Sequence, residues 1–125
     1  MTIALYFAAF LLVAIGITHS ILGERYILIR LFRRDDLPKI LGSAEFTKRT
    51  LRFAWHITTI AWWGIAAILA QIASGAFSPQ RVALAISITF CVSGLVSLIG
   101  SRARHYSWVV FLLIGGVTMW FVVAA

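Results

Sequence analysis

Three histidines and one glutamate carry most of the chemistry this sequence offers. His19, His56 and His105 are its only imidazoles, and Glu24 is the acid nearest in sequence to any of them. Neutral imidazole is the commonest protein metal ligand, and three imidazoles around an open position suit a catalytic zinc ion. The spacing contains no HxxxH or HExxH pair. Any site for a divalent metal such as zinc must therefore draw His19, His56, His105 and Glu24 from separate elements. A b-type haem is the alternative cofactor, with His19 and His56 as axial pair and Arg25 and Arg52 near the propionates. A basic set, Arg25, Arg30, Arg33, Arg34 and Arg52, is the second candidate chemistry. Guanidinium groups beside a membrane hold topology and contact anionic headgroups, or bind a substrate phosphate.

The elements that must position these groups are membrane helices. The chain has 125 residues, 62% hydrophobic and only 12% charged. A soluble domain carries about 25% charged residues. The net charge of +7 would suit nucleic acid, but the cations interrupt apolar runs instead of lining a soluble face. No nucleic acid partner is expected. The single cysteine, Cys91, excludes an intramolecular disulfide and sits within an apolar run.

Four apolar runs are long enough to cross a bilayer, which needs about 20 residues. They predict helices over about 3–23, 53–75, 82–101 and 105–124, in one transmembrane domain of residues 1–125. The first run has no basic residue ahead of it, which favours a retained helix over a cleaved signal peptide. Residues 24–52 form the one long polar stretch. Within it, residues 26–34 either extend helix one or lie at the headgroup level. Asp35-Asp36-Leu37-Pro38 breaks the helix, and Gly42-Ser43 offers the start of another, with Glu45 in its first turn and Arg49 one turn on. Glu45 lies about 16 Å along a helix from His56, which removes it from the histidine set.

Ten of the eleven cations fall in residues 24–52 and the Arg102–Arg104 hinge; Arg81 alone falls on the other side. This positive-inside asymmetry predicts an all-α, up-and-down, four-helix transmembrane bundle with both termini outside and a basic, partly helical cytoplasmic loop. The expected location is a bacterial inner (plasma) membrane. The same asymmetry excludes small exporters and fluoride channels that insert in both orientations. No acid or base lies at the midplane of any run, so a monomeric ion pathway is not expected.

All three histidines fall at the cytoplasmic end. Gly16, Ser20 and Gly23 flank His19; Arg52, His56, Thr59 and Trp63 share a face of helix two, beside Trp55 and Trp62. Ser87, Cys91, Gly94, Ser97 and Ser101 line helix three, and Trp108, Leu112, Gly115 and Met119 line helix four. Small residues let membrane helices approach closely, and these stripes would serve a homodimer as well as a monomer. The first functional expectation is a cytoplasm-facing histidine cluster that binds a metal for catalysis or metal handling. A non-catalytic assembly subunit that binds a membrane partner protein or lipid is the competing class.

Overall fold

The computed structural model describes residues 1–124 and is helical throughout its ordered elements. Helix one runs from Thr2 to Leu31, helix two from Ala44 to Ala73, helix three from Pro79 to Ser101 and helix four from Ser107 to Ala124. All four are long and apolar enough to cross a membrane.

Two boundaries differ from the sequence expectation. Helix one does not stop at Gly23; it passes through a π-helical segment, Gly23–Leu28, and ends at Leu31. The reason is amphipathic. Leu28 is 2% exposed, while Arg25 and Arg30 each lie 5.6 Å from the centre of the Tyr26 ring, one on either side in sequence. Helix two starts at Ala44, nine residues before its apolar run, with Ser43 at the N-cap position and Glu45 in the first turn. The Arg49 Nε donates to Glu45 Oε1 at 2.7 Å, an (i, i+4) pair that supports those turns. The non-helical connection therefore shrinks to residues 32–43. It closes on a tight turn in which Leu41 and Gly42 both have positive φ and Ile40 and Ser43 exchange backbone hydrogen bonds.

The helices form an open row. Helix one packs on two, two on three and three on four, and no other pair among the described residues brings its backbones together. The four helices thus stand side by side, each packed on its neighbours in sequence. The physical reason is the distribution of small residues, which gives helices one and four one packed face each. Against helix two, Gly16 meets Thr59 and Trp63, and Gly23 meets Trp55. Between helices two and three, Gly64 meets Thr89 and Gly100 meets Phe53. Between helices three and four, Gly94 meets Leu112 and Gly115 meets Cys91. Ser87, Ser97 and Ser101 are at most 1% exposed on this last seam, and Ser87 Oγ donates to the Gly115 carbonyl at 2.8 Å. The opposite faces, Phe7 and Phe10 on helix one and Leu113, Val117 and Trp120 on helix four, are exposed. Lipid tails cover such faces without the cost that water would impose.

Candidate functional site

The polar chemistry gathers at the end where helix one leaves its α-helical path. In the π-helical segment each bond spans five residues, as where the Ile29 N–H donates to the Glu24 carbonyl. Gly23 lets this segment lie directly on an indole: a Cβ there would stand 2.1 Å from Trp55 Nε1. Trp55 and His19 clasp each other. Trp55 Nε1–H donates to the His19 carbonyl at 3.1 Å, and His19 Nε2 contacts the Trp55 carbonyl at 3.3 Å. Their rings stack at 4.5 Å with an interplanar angle of 2°, and Trp62 meets His19 edge-on at 5.0 Å. A carbonyl can only accept, so His19 Nε2 carries the proton and has no lone pair to offer a metal.

His56 belongs to a different arrangement. Its Nε2 lies 3.3 Å from Glu24 Oε2, and its Nδ1 lies 2.9 Å from Ser20 Oγ. Ser20 Oγ lies 2.8 Å from Thr59 Oγ1, which donates to the Gly16 carbonyl at 3.1 Å. On the other side, Arg52 grips both Glu24 oxygens, Nε to Oε2 at 3.2 Å and Nη2 to Oε1 at 2.9 Å. The network thus runs Arg52–Glu24–His56–Ser20–Thr59–Gly16. Thr59 donates to the Gly16 carbonyl, so Ser20 Oγ–H donates to Thr59, and one Glu24 carboxylate joins Arg52 to His56.

His105 stands apart, on the opposite flank of helix two. Its Nδ1 accepts from the Ser107 backbone N–H at 3.3 Å and lies 2.8 Å from Ser107 Oγ. Its ring lies 5.3 Å from Phe53 and 6.0 Å from Phe46. The three histidines thus share one end of the molecule without sharing a centre. Among the described residues no group of three or more His, Cys, Asp or Glu side chains could hold a metal ion. Of the pair considered for haem, His56 is engaged at both nitrogens and His19 at Nε2.

The basic set also divides. Arg25 and Arg30 stack on Tyr26, and Arg34 pairs with Asp36 in the connection. That hydrogen bond holds the exposed Asp36 carboxyl below the usual carboxylate range. Arg33 meets no acid among the described residues. Arg52 lines a cavity. This cavity, of about 460 Å³, lies between helices two and three and is lined by Glu45, Arg49, Arg52, Phe53, His56, Val96, Ile99 and Gly100. Sequence reasoning overlooked Arg49 and Phe53. The signal for Arg49 is its position one turn before Arg52, on the face that also carries His56. Ser20 and Thr59 were read as helix-face residues; their hydroxyl link appears only when helices one and two are juxtaposed.

The chemistry of the cavity follows from its lining. Two guanidinium groups, an imidazole and the Glu45 carboxylate share the lining with Phe53, Val96, Ile99 and Gly100. Each guanidinium is held by a carboxylate, Arg49 by Glu45 and Arg52 by Glu24, and the Arg52 side chain remains 49% exposed. A phosphate oxygen can therefore reach Arg52 without the ion pair being dismantled. Compared with known proteins, the chain matches no family model, no curated protein and no solved structure.

Proposed function

We propose that this chain is an inner-membrane protein that binds the phosphate-bearing head of an anionic lipid at its cytoplasmic end. The observation that carries the reading is the cavity in which Arg49, Arg52 and His56 stand beside Phe53, Val96 and Ile99. Cationic groups meeting an apolar wall match an amphiphile better than a soluble anion. The ten-to-one split of cations supports an up-and-down path with both termini outside, which puts this cavity at the anionic cytoplasmic leaflet. That end of the chain holds ten cations and all four acids, a net of +6, and long-range attraction concentrates anionic lipid there. Glu24 acts as the internal counter-ion that keeps Arg52 and His56 oriented when no phosphate is present. The role is retention or presentation of lipid, in which no covalent step is required.

Native mass spectrometry of the detergent-solubilised protein tests this directly. Incubated with equal amounts of phosphatidylglycerol and phosphatidylcholine, the protein should retain the anionic lipid at one copy per chain. A charge-assisted hydrogen bond contributes about 1.5–3 kcal/mol when buried. Discounted for the exposure of Arg52, the double variant Arg49→Gln, Arg52→Gln should lose about tenfold in affinity. Equal retention of both lipids, or an unchanged variant, would overturn the proposal. Inorganic phosphate added in excess should compete poorly; full competition would assign the cavity to a soluble phosphate instead.

A further inference from the structure

The space beside Arg49, Arg52 and His56 continues toward the middle of the helices. A second cavity, of about 360 Å³, begins one helical turn further on between the same two helices, lined by Ile60, Trp63 and Ala67 of helix two and Ala85, Ile88 and Val92 of helix three. The register is continuous on both walls. Arg49, Arg52, His56, Ile60, Trp63 and Ala67 follow one another three or four positions apart, and so do Val96, Val92, Ile88 and Ala85, so each set is one helix face. Gly64 meets Thr89 where the two walls join, and the Thr89 hydroxyl is spent on the Ala85 carbonyl at 2.7 Å. The Trp63 Nε1–H donates to the Val13 carbonyl at 3.4 Å, which ties that wall to helix one. No charged residue lines this second part. Trp63, Ile88 and Val92 are 44%, 52% and 40% exposed, so the groove is open to the bilayer along its length.

We infer that this groove is the acyl-chain half of the phosphate site: an anionic phospholipid lies lengthwise against helices two and three, its phosphate at Arg49 and Arg52 and one acyl chain along Ile60, Trp63 and Val92. The inference rests on the phosphate reading of the cavity above. Charge selects the head of the occupant, and register sets the path of its chain. His56 to Ala67 on helix two and Val96 to Ala85 on helix three are each eleven positions, about 16 Å at 1.5 Å per residue. One leaflet of the hydrocarbon core is about 15 Å deep, so a chain anchored by its phosphate at the arginines ends where the groove ends. The apolar slot on the other flank of helix two, which includes Ile57, Ile68 and Phe111, stands in line with a cavity lined by no Lys or Arg. An anionic head meets no cation there, so the lipid takes one flank. Surrounding tails are as apolar as the groove. The arginines therefore supply the affinity, and the groove fixes where the chain lies.

Photolabelling provides the test. Phosphatidylglycerol carrying a diazirine midway along one acyl chain is photolysed with the protein in phosphatidylcholine nanodiscs, and the adducts are mapped by peptide mass spectrometry. A phosphatidylcholine probe with the same chain is the reference; it should label the lipid-facing surface at large, including Phe7 and Phe10 of helix one and Leu113 and Val117 of helix four, which are exposed. The anionic probe should be enriched about threefold or more over the reference on residues 60–67 and 85–92. Arg49→Gln, Arg52→Gln should abolish that enrichment. Ala67→Phe narrows the groove at an exposed position, with circular dichroism checking that the helices are intact. It should remove most of the enrichment, while native retention of phosphatidylglycerol falls by less than the roughly tenfold lost with the two arginines. Equal maps for the two probes, with retention of phosphatidylglycerol intact, overturn this inference alone. Enrichment that survives the arginine variant or is unchanged by Ala67→Phe also overturns it. Loss of selective retention in the unmodified protein overturns the phosphate reading, and this inference with it.

Discussion

Gly23→Ala should damage the candidate site through a single methyl group. The added Cβ would lie 2.1 Å from Trp55 Nε1 and 2.4 Å from its Cε2, far inside contact distance, and the indole cannot bend away. It is held by its hydrogen bond to the His19 carbonyl and by the His19 stack. Overpacking of a tight contact costs about 1–3 kcal/mol. Losing the indole hydrogen bond costs about 1 kcal/mol more. Against this, alanine is a better helix former than glycine by about 1 kcal/mol. The expected net destabilisation is about 1–3 kcal/mol. Gly116→Ala serves as the control, since a Cβ there meets nothing within 4 Å and retains only the propensity gain of about 0.5–1 kcal/mol. The propensity term is common to both, so the difference between the variants, about 2–4 kcal/mol, isolates the packing contribution. Reversible unfolding in mixed micelles, followed by far-UV circular dichroism, measures both. Tryptophan fluorescence should also shift in Gly23→Ala alone. Equal stabilities, or a larger loss at Gly116, would refute the close approach of helices one and two.

Four further outcomes follow from the same geometry. Thr59→Val removes the hydroxyl that bonds both Ser20 Oγ and the Gly16 carbonyl and should destabilise by about 1–2 kcal/mol, read in the same unfolding assay. Gly115→Ala would set a methyl 2.5 Å from Cys91 Sγ and 3.1 Å from its backbone nitrogen, and should cost about 1–3 kcal/mol, whereas its neighbour Gly116 tolerates the same change. Leu41→Asn relieves a branched residue held at φ 56° and should stabilise by about 0.5–1 kcal/mol. Asp36 should titrate below ordinary aspartates by carboxyl NMR, since Arg34 hydrogen-bonds its charged form. A lowered folded value means any stabilisation is present above the ordinary range and is lost as pH falls through the lowered value. Arg34→Gln should return Asp36 to the ordinary range, and because the pair is fully exposed, melting should not change measurably.

The number of long apolar helices and their apolar segments were legible from composition and run length, because twenty apolar residues in a bilayer must satisfy their backbone hydrogen bonds within one helix, whereas the polar extensions to Leu31 and from Ala44 were not. The packing seams were legible for a related reason: Gly16, Gly23, Gly94 and Gly115 are where backbones approach, and sequence alone shows where side chains are small. The pairing of Glu45 with Arg49 was also readable, because partners four residues apart on one helix need no tertiary information.

The histidines mark the limit. Their placement at one end was set by position along each run, which the sequence gives by counting. Whether they converge depends on rotation about each helix axis and on which helices are neighbours. A run that is apolar all round carries little rotational signal, and helix one is such a run up to Gly23. The tertiary structure turned His19 onto Trp55, joined His56 to Glu24 through a π-helical segment that no local pattern announces, and set His105 on the far flank of helix two. It also left the row open, which makes both flanks of helix two available. The sequence therefore determined which polar groups lie at one common end of the helices. Only the packing of neighbouring helices decided which of them meet, because that outcome is fixed by contacts between residues dozens of positions apart.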